Sequence, residues 1–164
     1  MAYQIYVKVP TECSAGELHA FEKLIKLGGE VSQNGLLNRI KNAHFIAFAS
    51  NENGEIVGIS ALKRPIEGYR NAVFHKSKSK EEDQKYEAEL GWVFVMKEFR
   101  EKGLGSKLVE ILLSIKTVKN VYATAREHNE KISSMLKKFE FIQSGVPYPS
   151  TEGDYALVLY IKPL

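Results

Sequence analysis

The sequence predicts a mixed α/β fold in which helices cover a sheet, with elements in the order β-α-α-β-β-β-α-β-α-β-β. Two observations carry this prediction. Polar and apolar residues alternate over Tyr3 to Val9 and again over Tyr86 to Met96, as they do in strands. From Leu104 onward, apolar residues recur at helical spacing, and strands then alternate with helices along the second half of the chain.

The first half of the chain is predicted to contain three strands and two helices. Ser14 and Glu17 have the spacing of a capping box, so a helix begins here and is predicted to end before Gly28 and Gly29. A shorter helix is predicted over Leu36 to Lys41. Two strands follow, HFIAFAS and EIVGISALK, and the Asn53-Gly54 pair between them favours a tight antiparallel hairpin.

The second half begins with a polar segment, Pro65 to Lys85, for which we predict no secondary structure because it ends in the charge run KSKSKEEDQK. After the strand at Tyr86 to Met96 and the helix from Leu104, VYATA is predicted to form a short strand. Asn129 then suits the N-cap of another helix. Two last strands are predicted at 141–146 and 154–161, joined by the loop PYPSTEG.

Size, charge and cysteine content exclude several classes of protein. The chain of 164 residues fits a single domain, 1–164. Its 23 basic and 20 acidic side chains are well mixed, so no large basic surface for nucleic acid is expected. The single Cys13 cannot form an internal disulfide, and the four histidines lack the spacing of metal ligands. No apolar run approaches the ~20 residues that span a bilayer. We expect a cytoplasmic protein that binds neither nucleic acid nor a membrane.

The stretch FREKGLGSKLVEILL places Gly103 and Gly105 at the start of a predicted helix. Backbone amides at a helix start have no intrahelical partner, so a phosphate can bind there, and glycines remove the β-carbons that would block its approach. Alternatively, the glycines only permit a tight turn. A Walker A loop needs Gly-Lys-Ser/Thr, and a dinucleotide fingerprint needs a third glycine where Leu108 stands, so both motifs fit poorly.

A strand that carries Glu89, followed by Arg100-Glu-Lys-Gly103-Leu-Gly105 at the head of an amphipathic helix, resembles the acyl-CoA-binding motif R-x-x-G-x-G/A of the GNAT N-acetyltransferase superfamily. The resemblance is specific from about Glu89 to Phe141 and follows the element order over most of the chain. It implies a mostly antiparallel central sheet flanked by helices, with acetyl-CoA as the co-substrate. The backbone amides around Lys102 to Ser106 would bind the pyrophosphate. The cofactor-binding residues that it implies are Val93, Val95, Arg100, Lys102, Gly103, Leu104, Gly105, Ser106 and Asn129.

Transfer of an acetyl group to an amine requires that the amine be uncharged when it attacks. Glu89 lies eleven positions before Arg100, similar to where the histone-modifying branch of the family places its catalytic glutamate. We therefore predict Glu89 as the general base, acting directly or through a water, on a strand face shared with Val93 and Val95. Glu87 is a weaker candidate, because two like charges so close can raise one pKa. Either glutamate can instead be an ordinary carboxylate at the end of a strand.

The sequence departs from the family pattern at one catalytic position. Many members have a tyrosine seven residues after the helix-capping asparagine, where it protonates the departing thiolate. Here that position is Leu136, so the role passes to another side chain or the thiolate leaves unaided. The candidate substitutes are Tyr122, Ser133 and Ser134.

The acceptor is predicted to be a primary amine of a small molecule or peptide. By resemblance it enters between the loop at Leu27 to Gly35 and the loop at Val146 to Asp154. Glu152 and Asp154 are candidates for attracting a cationic amine, with Tyr148 and Tyr155 as an aromatic wall. The alternative function is a CoA-binding module without turnover; a homodimer is compatible with either.

Overall fold

The computed structural model describes residues 2–29 and 32–163. Within them, the strands are β1 (Gln4–Lys8), β2 (Phe45–Ser50), β3 (Ile56–Lys63), β4 (Ala88–Val95), β5 (Val121–Arg126), β6 (Ile142–Gln143), β7 (Tyr148–Pro149) and β8 (Ala156–Lys162). The helices are α1 (Ala15–Gly28), α2 (Leu36–Lys41), α3 (Glu67–Lys76), α4 (Leu104–Leu113) and α5 (Glu130–Lys138). The β4–β5 pair is parallel, while β1–β2, β2–β3 and the pairs of β8 with β5, β6 and β7 are antiparallel. The predicted mixed α/β fold with a mostly antiparallel sheet is confirmed.

The chain divides into two compact units, and strand β4 contributes to both. The first unit runs to Arg64 and includes Leu90–Lys116, and the second comprises Pro65–Glu89 and the chain from Thr117 onward. The prediction of one domain over 1–164 stays a prediction.

The first unit places helices on both faces of its strands, which follow the order β1-β2-β3-β4. Its buried core joins side chains of α1 and α2 to one face of the strands; these are Phe21, Leu24, Ile25, Leu36, Ile40, Ile46, Phe48, Ile59, Ala61 and Trp92. The other face of β3 packs against α4. On that face the Ser60 hydroxyl donates a hydrogen bond to the Leu108 carbonyl at 3.1 Å. Alternation along β3 thus separates the two helical layers.

The second unit is built on β8, which pairs with β5, β6 and β7. One face of β5 and β8 packs against α3: Val73 and Phe74 share a buried cluster with Tyr122, Leu159 and Ile161. On the other face, the Tyr160 hydroxyl lies 2.8 Å from the Ser133 hydroxyl of α5. Each side of this part of the sheet is therefore covered by a helix.

Local sequence signals predicted several elements correctly. Ser14 and Glu17 form both hydrogen bonds of a capping box at the start of α1. The Asn129 side chain accepts from the Ile132 amide at 3.2 Å and caps α5. The β2–β3 hairpin is present, but its loop covers Asn51 to Glu55, because the Asn51 side chain accepts from two backbone amides within it.

Two predictions of irregular structure were wrong. The segment 65–85 contains α3 and a short 3₁₀ turn at Asp83–Lys85, and the helix forms because its apolar side chains enter the core of the second unit. The loop PYPSTEG begins with β7, which pairs with β8 through Tyr148–Leu157. The strand predicted over 141–146 is correspondingly short, with Ile142–Gln143 alone in β6.

Trp92 interrupts the regular pleat of β4, since its φ is 52°. A side chain at positive φ does not continue the extended alternation on either side of it. The prediction that Glu89, Val93 and Val95 share one face assumed an unbroken pleat. Because Trp92 interrupts the pleat, alternation along the strand no longer supports this prediction.

Candidate active site

A turn and a loop connect the end of β4 to α4, and Arg100 ties that loop back to the strand. The Arg100 Nε donates to the Val95 carbonyl at 2.8 Å, and its guanidinium lies 5.4 Å from the centroid of the Phe94 ring. The Met96 amide donates to the Val57 carbonyl of β3 at 2.8 Å. The start of α4 is therefore fixed relative to the first unit's sheet.

The first turn of α4 is open to a ligand. Gly103 occupies the N-cap with a φ of 76°, a conformation that favours glycine, and no side chain among the described residues caps this end. A β-carbon added at Gly103 or Gly105 would meet no described atom within 4 Å. By contrast, Ser14 and Asn129 cap α1 and α5 with their side chains. The free amides and the positive end of the helix dipole suit an anion such as a pyrophosphate.

The side chains of this loop contribute differently. Arg100 and Lys102 are exposed and add positive charge, while Ser106 is half-buried. The Leu104 side chain is 2% exposed and packs in the core, so only its backbone amide is offered to a ligand. These residues fit the diphosphate of CoA. Val93 and Val95 precede them on β4, and the Val95 carbonyl is already bound by Arg100.

In the second unit, the Glu89 carboxylate is buried, with 4% of the residue exposed. Glu89 pairs with Tyr122 in the parallel β4–β5 ladder, so both side chains lie on the same face. The Tyr69 hydroxyl, on α3, donates to Glu89 Oε2 at 3.3 Å. A buried carboxylate held by a donor is a suitable proton acceptor once a ligand approaches it.

Three tyrosines, Tyr69, Tyr122 and Tyr148, surround Glu89, and we call them the tyrosine cluster. Burial and then the charge of Glu89 raise the pKa of Tyr148 to about 12, and the same two causes raise the pKa of Tyr122 further. The pKa of Tyr69 is raised in the same way, although the residue is 45% exposed, because its hydroxyl end is the part withdrawn from solvent. All three hydroxyls are therefore protonated near neutral pH and can donate hydrogen bonds.

The tyrosine cluster contains two buried hydroxyls with unused hydrogen-bonding capacity. Tyr122 is 0% exposed and Tyr148 is 6% exposed. Neither hydroxyl has a hydrogen-bond partner among residues 2–29 and 32–163. Buried polar groups in native proteins are normally paired with protein, water or ligand.

Comparison with known families and structures shows the family to which the chain belongs. A model of the acetyltransferase (GNAT) family matches residues 16–141, which includes both the α4 loop and Glu89. The chain belongs to the GNAT acetyltransferase family. No curated protein sequence matches it.

Solved structures share the GNAT fold at low sequence identity. NAA60 from Arabidopsis thaliana in complex with acetyl-CoA is 12% identical, with a TM-score of 0.70 over 98% of this chain and 100% of that one. An acyl-CoA N-acyltransferase from Pseudomonas aeruginosa is 16% identical, with a TM-score of 0.69 over 98% and 99%. The ribosomal-protein-S18-alanine N-acetyltransferase from Escherichia coli is 14% identical, with a TM-score of 0.68 over 98% and 94%.

The two predicted glutamates of this GNAT protein lie in different environments. Glu89 is buried beside Tyr69, whereas Glu87 is exposed and precedes β4. The Glu87 Oε1 accepts from the Lys119 backbone amide at 3.1 Å. Glu87 thus has a structural contact of its own, and Glu89 is the better placed of the two for chemistry.

The candidate substitutes for the family's tyrosine also differ in their surroundings. Leu136 is 1% exposed and fills the interior of the GNAT domain. Ser133 is bonded to the Tyr160 hydroxyl, and Ser134 is exposed. Tyr122 is the substitute that lies beside Glu89.

The predicted acceptor loops are partly described. The loop Leu27 to Gly35 includes residues 30 and 31, which lie outside the described residues. In the second loop, Glu152 and Asp154 are exposed, and the Arg126 guanidinium lies 3.9 Å from the centroid of the Tyr155 ring. Tyr148 belongs to the tyrosine cluster, and its role in an aromatic wall for the acceptor stays a prediction.

Sequence reasoning missed Tyr69, because the segment 65–85 was predicted to lack secondary structure. The spacing of Ile66, Tyr69 and Val73, three and then four residues apart, is the helical signal that identifies α3. Within the described residues, no helix is long and apolar enough to cross a membrane, and no group of three or more His, Cys, Asp and Glu side chains is placed to hold a metal ion.

Proposed function

We propose that this protein is an acetyl-CoA-dependent N-acetyltransferase that moves an acetyl group directly to a primary amine of a small molecule or peptide in a ternary complex. The observation that carries the proposal is the buried Glu89 carboxylate, which accepts a hydrogen bond from the Tyr69 hydroxyl. It lies on the strand that leads into an uncapped, glycine-containing helix start. We expect the enzyme to act in the cytoplasm.

The α4 loop is proposed to hold the co-substrate, which supplies the acetyl thioester. The amides of Lys102 to Ser106 would bind its pyrophosphate, with Arg100 and Lys102 adding positive charge. The Val93 backbone and the Val95 amide would pair with the pantetheine arm. Asn129 is proposed to contact the cofactor as well, in addition to capping α5.

Glu89 is proposed to take the proton that the acceptor amine must lose. As the amine nitrogen bonds to the acetyl carbon, the carbon–sulfur bond breaks and the nitrogen's proton passes to a Glu89 oxygen. The Tyr69 hydroxyl donates to Glu89 Oε2 and would hold the carboxylate in a fixed orientation toward the amine. Glu87 remains the second candidate base.

Leu136 leaves no tyrosine at the usual position for protonating the thiolate. The thiol of CoA is acidic enough for the thiolate to leave unaided and take its proton from solvent. Tyr122 is the substitute donor that the contacts with Glu89 favour. The same leucine is the observation behind the second candidate function, a CoA-binding module without turnover.

The experiment that separates the two functions is an acceptor panel with acetyl-CoA, in which free thiol is measured. Small amines and peptides with free N-termini both belong in it, since a structural neighbour acts on the alanine of ribosomal protein S18. Acceptor-dependent thiol release supports the transferase. Calorimetric binding of acetyl-CoA with no release above the acceptor-free rate, for any amine, would instead identify a binding module.

A further inference from the structure

We propose that Glu89 and the tyrosine cluster select an acceptor whose primary amine is adjacent to a neutral hydrogen-bonding oxygen, such as the carbonyl of an amide, over one whose amine is adjacent to a free carboxylate. This inference rests on the proposed transferase function and names the chemical class of its acceptor. It follows from the positions of two hydroxyls and from the charges around them.

The Tyr122 and Tyr148 hydroxyls are buried donors that need a partner. In the part of the chain that the structure describes, neither has one. Both side chains belong to the same buried cluster, beneath α3, with Phe74 packed edge-on against Tyr122 at 5.4 Å between ring centroids. A ligand oxygen that reaches these hydroxyls would gain hydrogen bonds in a desolvated site, where they discriminate strongly.

Glu89 sets the position of the amine relative to that oxygen. Tyr122 is directly paired with Glu89 across two adjacent strands, which are about 4.8 Å apart in a sheet. An amine that contacts the Glu89 carboxylate is therefore on the face of the sheet that also carries the Tyr122 side chain, whose hydroxyl is close enough for the charge of Glu89 to raise its pKa. We therefore place the acceptor's oxygen near its amine, toward the tyrosine hydroxyls.

The local charge disfavours a carboxylate at the same place. Glu89 carries a negative charge when it acts as a base, and a second carboxylate nearby would be repelled in a low-dielectric site. Arg70 is a cation that acts on Tyr122. Its Nε binds Asp83 Oδ2 at 3.2 Å and its Nη1 donates to the Tyr86 carbonyl at 3.4 Å, so its charge is already matched. A neutral carbonyl accepts from the tyrosines without this repulsion.

The test compares each primary-amine amino acid with its own carboxamide as acceptor, using acetyl-CoA and reading free thiol. The two members of a pair differ in one group, and they are compared at equal concentrations of neutral amine. We expect at least one carboxamide to have a kcat/KM about tenfold or more above that of its free acid. Free acids that equal or exceed their carboxamides in every pair overturn the inference.

Variants of the cluster show whether the hydroxyls cause the preference. Tyr148→Phe should lower kcat/KM for the preferred carboxamide roughly tenfold, with a much smaller change for the free acid, and Tyr122→Phe should lower the ratio of kcat/KM for the carboxamide to that for the free acid by a similar factor. Because these hydroxyls lack partners, their removal should leave the free energy of unfolding unchanged or higher. Tyr86→Phe is the matched control, since the Tyr86 hydroxyl already donates a hydrogen bond to Glu81 at 3.1 Å. It should leave the carboxamide preference intact.

The outcomes separate this inference from the function on which it rests. If a broader amine panel is acetylated but no carboxamide is, the transferase function stands and the inference fails. If the preference persists unchanged in both Tyr→Phe variants, the hydroxyls do not cause it and the inference also fails. If no amine is acetylated while acetyl-CoA binds, the proposed function itself fails.

Discussion

The Tyr69 hydroxyl donates a hydrogen bond to Glu89 Oε2 at 3.3 Å and thereby joins helix α3 to the buried carboxylate of β4. The residue Tyr69 is 45% exposed. A residue that is open on one side and bonded to the proposed base on the other is placed to position that base.

Tyr69→Phe removes this hydrogen bond and keeps the ring. We expect kcat to fall roughly tenfold, because the carboxylate loses the donor that orients it. The KM for acetyl-CoA should stay close to that of the original protein, and the melting temperature should fall by only a few degrees, because the ring still packs while the buried carboxylate loses one donor. A loss of stability with unchanged kcat per folded molecule would show that Tyr69 has a structural role only.

Gly105→Asp and Gly105→Asn test the pyrophosphate site with side chains of equal size. Both enter open space in the first turn of α4, so neither should disturb the fold. The aspartate places a negative charge at the positive end of the helix, where it competes with the phosphates. Calorimetry should show acetyl-CoA affinity about tenfold or more lower for the aspartate than for the asparagine. Equal affinities would place the pyrophosphate elsewhere.

Gly145→Ala should destabilise the protein by about 3 kcal/mol or more. Gly145 has a φ of 75°, and an added β-carbon would collide with the Ser77 carbonyl at the end of α3. The control is Gly54→Ala, which has a φ of 78° but no described atom within 4 Å of the added carbon. Denaturant unfolding should show a cost near 1 kcal/mol for the control, from backbone strain alone. If both variants lose a similar free energy of unfolding, the contact with Ser77 does not explain the effect of Gly145→Ala.

The tyrosine cluster should make the protein lose stability in alkali. The pKa of Tyr148 is about 12 in the folded state and about 10 when unfolded. Between these values the unfolded chain releases a proton that the folded protein keeps, so stability falls as pH rises from about 10 to 12. Tyr148→Phe should reduce this fall by up to about 1.4 kcal/mol per pH unit, measured by unfolding at each pH. If stability falls with pH as steeply in Tyr148→Phe as in the original protein, other groups cause the loss of stability in alkali.

The sequence predicted those parts of the molecule that local contacts determine. The capping box of Ser14 and Glu17, the Asn129 cap and the glycine-containing start of α4 each depend on residues within a few positions of one another. The resemblance also identified Glu89 as the candidate base, and the structure buries it.

The remaining features depend on contacts between distant segments. Helix α3 begins after Ile66 without a side-chain cap, and the spacing of its apolar residues indicates a helix but not the packing on β5 and β8 that buries them. The short strand β7 likewise exists because Tyr148 pairs with Leu157. Trp92 adopts a positive φ that no alternation rule anticipates. The packing of α3 and the pairing of β7 with β8 assemble the tyrosine cluster, so local sequence patterns could not predict its arrangement.

The role of Glu89 is tested most directly by kcat/KM as a function of pH for the original protein and Glu89→Gln, at saturating acetyl-CoA and with the best acceptor of the panel. Glutamine keeps the shape and a hydrogen-bonding oxygen but cannot take the proton. At neutral pH we expect a loss of ~10²–10⁴-fold, with acetyl-CoA affinity preserved. The loss should shrink as pH rises, because more of the acceptor is then already neutral. Parallel profiles that differ by less than about threefold would contradict the role of Glu89 as the general base.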